Sequence, residues 1–204
     1  MIFITNIESQ DVKSASESLG VLEWTRRPLL WMLVLCVISL FAFAGGLLVT
    51  ESVGEVGTDI DFKPFFIPYL FIVITRFGPP TLLIGLGAAI GEGILDIFEG
   101  YEIDDPVGFV GYVLGFVLFG WYLHEVADDP TSWRALTGAA LLGAFVQAFF
   151  EAFAYFVFDP SAGGTQAGLS LLGNTLSHGF LLGAVPLVLL APAVQDYLAT
   201  RQAM

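Results

Sequence analysis

Long apolar runs, broken by short polar stretches, dominate the chain. They read as Pro28–Thr50, about Phe62–Phe77, Pro80–Glu99, Pro106–His124, Trp133–Phe158 and Ala167–Tyr197. Crossing about 30 Å of hydrocarbon takes roughly 20 residues, and every run but the second reaches that length. The last exceeds it, so its end is expected to emerge after Pro192. The second run is short and carries Pro64 and Pro68. Interrupted segments of this kind are tolerated in a membrane where they pack inside protein or line a cavity. The pattern predicts an all-α integral membrane protein with six transmembrane helices and a short Pro-bearing second helix. Residues 1–27 form a tail, 28–198 the membrane domain and 199–204 a second tail.

Basic residues orient the bundle. Lys13, Arg26, Arg27, Arg76, Arg134 and Arg201 all fall on one side of a six-span arrangement, and only Lys63 falls on the other. Lysine and arginine concentrate on the cytoplasmic side, which predicts both termini inside and a multi-pass protein of the cell membrane. The stretch from Arg26 to Ala44 has the paired arginines and Ala-x-Ala of an export signal. Its apolar run continues past Ala44 to Val49, however, so it is read as an uncleaved first span.

Composition agrees: 56% of the 204 residues are hydrophobic, above the usual share of a soluble domain. The mean hydropathy is +0.79. Twenty acidic residues against seven basic ones give a net charge of -13, and no basic face exists to neutralise phosphates. Nucleic acid is therefore excluded as a partner. The single cysteine, Cys36, allows no internal disulfide. Small residues four apart, as in Gly85-Ala89-Gly93, Gly111-Gly115 and Gly179-Gly183, predict close helix contacts.

Polar residues inside the spans carry the functional signal. Glu92 and Glu151 each lie seven residues before the outer ends of their spans, and Asn174 lies seven after the start of the last. At about 1.5 Å per residue, all three sit roughly 10 Å below the outer surface. Gln147 and His178 lie one turn deeper, Asp96 one turn above Glu92, and Tyr155 one turn above Glu151. Polar groups in a membrane are costly and mark functional sites. Glu92, Asp96, Gln147, Glu151, Tyr155, Asn174 and His178 are therefore expected to converge and bind a substrate. The acids favour a cationic solute. Phe149, Phe150, Phe153, Tyr155, Phe180 and Tyr101 are expected to supply an aromatic wall. A metal- or proton-handling role for Glu92, Glu151 and His178 is the alternative, since imidazole and carboxylate together suit divalent metals. No nucleophile motif stands out: Ser177 points about 100° away from His178 on a helix, so an enzyme is not expected. No cofactor is implied either.

Three stretches, GTDIDFKPFFIPYLFIVITRFGPPTLLIGLGAAIGEGILDIF, GFVGYVLGFVLFGWYL and GNTLSHGFLLGAVPLVLL, set this pattern in order. An acidic outer loop precedes a short Pro-bearing span, a Gly-Pro turn, a Gly-rich third span and an aromatic-glycine fourth. Over residues 28–195 this resembles the substrate-binding S components of energy-coupling factor vitamin transporters. The resemblance implies an outward-facing pocket closed by the first outer loop, about residues 51–63. It also implies a vitamin-like small-molecule ligand, a partner transmembrane subunit and two ATPase subunits. The absence of a Gly-x-x-x-x-Gly-Lys-Ser/Thr loop agrees with ATPases supplied in trans. S components often dock their partner through a small-x-x-x-small pair in the first helix. Here only Ala42 and Gly46 have that spacing.

Overall fold

A computed structural model describes residues 28–51, 60–100, 105–158 and 163–202. The tail 1–27, most of the first outer loop, Tyr101 and residues 203–204 lie outside this set. Most of the described residues are helical, and none forms a β-strand element. The helices are α1 (Pro28–Glu51), α2 (Phe66–Val73), α3 (Pro79–Glu99), α4 (Asp105–Trp121), α5 (Trp133–Phe158), α6 (Gly163–Asn174) and α7 (Val185–Gln202). A π-helical turn, Tyr122–Val126, extends α4, and a π segment, Thr175–Ala184, joins α6 to α7 as one rod.

Among the described residues, five stretches are long and apolar enough to cross a membrane: Leu29–Thr50, Pro79–Phe98, Asp105–Val126, Trp133–Phe158 and Gly163–Leu198. Their outward faces are apolar, as lipid requires; Phe41 and Val49 are each 70% exposed. This is the signature of a multi-pass membrane protein. The second apolar run differs from a full crossing: its helix α2 has eight residues, about 12 Å of rise. Residues 61–64 ahead of it are non-helical, because proline at 64 has no N–H and disfavours helix in the residue before it. The last rod stays helical through Pro192 to Gln202.

Short as it is, α2 forms the centre. Tyr69, Ile72 and Val73 are fully buried, and α2 packs on α1, α3, α4, α7 and the π segment. Phe65, at its start, sits among the rings of Phe43, Tyr69, Tyr112 and Phe116 at centroid distances of 5.1–6.0 Å. Tyr69 stacks on Phe119 at 3.9 Å, and its hydroxyl donates to the Ala140 carbonyl oxygen at 3.0 Å. At the far end, a His124 ring nitrogen lies 3.1 Å from the carbonyl oxygen of Ile72. A buried side chain of this kind is sensitive to truncation. Tyr69→Phe orphans the Ala140 oxygen and is expected to cost about 1–2 kcal/mol, read as a lowered thermal midpoint of the purified protein.

Small residues make the close contacts, on α3 chiefly along the Gly87–Gly91 edge beside the predicted Gly85-Ala89-Gly93 face. Gly87 and Gly91 of α3 face the Cys36 and Leu40 carbonyls of α1, and Ser39 donates to the Ile84 carbonyl at 2.8 Å. Gly111 and Gly115 of α4 face α5, and Gly179 faces Ala144. Gly46 of α1 is covered by the chain's own Pro64 and Ile67. The Ala42–Gly46 pair thus lies against the chain's own α2 region at Gly46.

Candidate functional site

The site assembles where the segment Ile60–Pro64 passes between α1 and α6. Pro64 meets Gly46 and Ile60 meets Gly173, a position where any Cβ would collide with the isoleucine. Asp61 and Lys63, two residues apart in this non-helical segment, turn together into the bundle. The Lys63 Nζ lies 2.9 Å from Asp61 Oδ2, 2.8 Å from Glu92 Oε1 and 3.2 Å from Glu151 Oε1. It also stands 5.2 Å from the centre of the Tyr112 ring, a cation–π contact. One ammonium therefore gathers carboxylates from the segment itself, α3 and α5.

Tyr112 of α4 donates its hydroxyl to the same Glu92 Oε1 at 2.8 Å. The other oxygen, Oε2, is buried without a hydrogen-bond partner among the described residues. Burial opposes the charge on Asp61, yet Lys63 and then His178 hold its carboxyl below the usual carboxylate range. Burial likewise opposes the Lys63 charge. Asp61, Glu151 and Glu92 override it and hold the ammonium above the usual lysine range.

Asn174 and His178, one turn apart on the last rod, both serve Asp61. The Asn174 Oδ1 accepts the Asp61 backbone N–H at 3.3 Å, and His178 Nε2 lies 2.5 Å from Asp61 Oδ1. On its other side, His178 Nδ1 lies 3.2 Å from Gln147 Oε1, while the Gln147 amide nitrogen has no partner among the described residues. Turning that amide end for end gives its NH2 a partner in Nδ1 and lets the ring donate from Nε2 to Asp61. The π segment places His178 here, with its ring 4.9 Å from Phe65; irregular turns of this type are frequent at functional sites.

Beside Lys63 is a cavity of about 150 Å³. Its lining includes Asp61, Lys63, Glu92, Asp96, Asp105, Tyr112, Glu151, Tyr155 and Asn174. No family model, curated protein or solved structure matches this chain. The site's chemistry is therefore read from its own residues. Five carboxylates line a space that holds one ammonium, so the local potential is strongly negative.

The structure brings all seven sequence-predicted residues to one neighbourhood. Glu92, Asp96, Glu151, Tyr155 and Asn174 line the cavity, and Tyr155 accepts a hydrogen bond from Gln166 at 2.8 Å. Gln147 and His178 lie one layer behind, gripping Asp61. Sequence reasoning missed Asp61, Lys63 and Tyr112. A signal existed for one of them: Lys63 was the sole basic residue on the wrong side of the charge pattern. The aromatic wall also differs from expectation. Phe149, Phe153 and Phe180 are exposed on the outer faces, and Phe150 packs over Gly111. Of the expected aromatics, Tyr155 does line the cavity, together with Phe109 and Tyr112.

Proposed function

We propose that this chain is the substrate-capture subunit of an importer for a vitamin or related small solute. In this reading it spans the cell membrane six times with both termini inside, and the Lys63 end faces out. A partner transmembrane subunit and two ATPase subunits supply the energy. The observation that carries the reading is the acidic cavity, where side chains from α3, α4, α5, the last rod and the first outer loop meet. A few fixed polar groups with aromatic walls suit recognition of a small molecule. Arg76, between α2 and α3, and Arg134, in the first turn of α5, belong to the opposite end of the bundle from Lys63. That distribution fits the proposed orientation.

The solute reading is preferred to a metal-handling one on geometry. Among the described residues, no group of three His, Cys, Asp or Glu side chains is arranged to hold a metal ion.

The test is a vitamin-class panel against the purified protein, with mass spectrometry of any co-purified small molecule. One solute is expected to raise the thermal midpoint. Glu151→Ala and His178→Ala are each expected to weaken it at least about tenfold, or about 1.4 kcal/mol. Labelled solute should enter cells only when partner and ATPases are present. A panel with no binder, together with variants that change nothing, rules the reading out.

A further inference from the structure

The acidic cavity already holds a cation, and it belongs to the chain. Lys63 carries three N–H donors, and three carboxylate oxygens from separate elements stand 2.8–3.2 Å from its nitrogen. The Tyr112 ring covers a further side. A tripod of acceptors with an aromatic face is the complement of a primary ammonium. A guanidinium needs a planar fork, and a quaternary ammonium offers no N–H at all. The tripod also carries more charge than it uses, with three carboxylates to one ammonium. Beside it, Glu92 lines the cavity and is nine-tenths buried, and its Oε2 has no hydrogen-bond partner among the described residues. A buried carboxylate oxygen without a donor costs free energy.

Size points the same way. The free space is about 150 Å³, below the roughly 300 Å³ at which small-molecule pockets begin. The Lys63 side chain lines that space, so its departure would enlarge it. It is long, flexible and still 15% exposed, so it has a route to water without unfolding the segment that carries it. Asp61 stays behind in that movement, held by Asn174 and His178.

We propose that Lys63 is a tethered stand-in for the solute: the site takes a small organic cation bearing a primary ammonium, which binds by displacing the Lys63 ammonium from Asp61, Glu92 and Glu151. This rests on reading the cavity as a solute-capture site and names the class of solute. Displacement makes binding a competition. The tethered ammonium acts at millimolar effective concentration, so a free ammonium binds more tightly once the tether is removed.

The experiment uses the full chain in detergent, with ethylammonium as probe and tetramethylammonium as a control of equal charge. In Lys63→Ala, ethylammonium is expected to raise the thermal midpoint saturably, at a concentration at least about tenfold lower than in the wild type. Tetramethylammonium is expected to leave it unchanged. Lys63→Gln serves if the alanine variant does not fold. Saturation-transfer NMR on the wild type serves if neither folds, with an ethylammonium signal above that of tetramethylammonium and lowered by Glu151→Gln. Equal responses to the two ions mean charge screening alone and overturn the proposal, as does no response to either. A panel solute without an ammonium that binds in the presence of excess ethylammonium overturns the proposal and leaves the importer reading standing. Ethylammonium rescue with no solute uptake by cells does the reverse.

Discussion

Replacing Lys63 by methionine is expected to destabilise the protein by about 3–5 kcal/mol, the usual cost of removing one partner from a buried ion cluster. Methionine keeps most of the apolar stem and deletes only the charge. Asp61, Glu92 and Glu151 are then left within a few ångströms of one another with nothing to neutralise them. The thermal midpoint should fall by on the order of 10 °C for a chain of this size. The three acids share one lysine, so their effects do not add. Adding Glu92→Gln to the methionine variant removes one of the repelling charges and is expected to recover part of the loss. In the wild type the same glutamine change is expected to be destabilising, since it loosens both Lys63 and Tyr112. Arg134→Met is the control: Arg134 is exposed at the other end of the bundle, over the ring of Trp133, and its loss should stay within about 0.5 kcal/mol. A methionine at 63 that costs no more than one at 134 removes the ion cluster from the account of this fold.

Much of this arrangement was legible before any coordinates. Helix α5 runs from Trp133 to Phe158, the bounds its apolar run predicts, because an uninterrupted run of that length has one low-energy form in lipid. Glu92, Glu151 and Asn174 share a depth because equal residue counts from a span end translate into equal rise. The rest was hidden for physical reasons. Asp61 and Lys63 lie in a non-helical stretch, where no period fixes which side chain points inward. The Lys63–Glu151 pair joins residues 88 apart in sequence, and no spacing rule reaches that far. Phenylalanine is equally at home against lipid and against protein, so its presence on α5 did not reveal which face met the cavity. Proline at 64 and 68 did mark the short helix, but not how deeply it would be buried. Nothing in the residues Thr175–Ala184 announces the wider π turn that carries His178.

Gly115→Leu is expected to be among the most damaging changes outside the ion cluster, because two backbones meet at this point. A Cβ at 115 would lie 2.5 Å from the Gly143 carbonyl oxygen and 3.3 Å from the Gln147 Cβ. The obstacle is α5 backbone, which has no rotamer to change. From the other side, a Cβ at 143 would lie 2.8 Å from the Gly115 carbonyl oxygen, so both helices use glycine to touch. Seams of this sort hold membrane helices together by close packing, without a hydrophobic drive between them. A leucine must push α4 and α5 apart, and the cost is expected to exceed the roughly 1–3 kcal/mol of ordinary overpacking. The separation also reaches the site. Tyr112 lies three residues before Gly115 on α4, and Gln147 lies four after Gly143 on α5. Wedging the helices therefore moves the hydroxyl that holds Glu92 and the amide that faces His178. Gly168→Leu is the matched control, since a Cβ there meets nothing within 4 Å. Thermal unfolding should separate the two, with position 168 unchanged within about 0.5 kcal/mol. Solute binding should be lost at 115 and kept at 168. A leucine at 115 that unfolds like the wild type means that α4 and α5 do not approach this closely, and the wall of the cavity on that side must be redrawn.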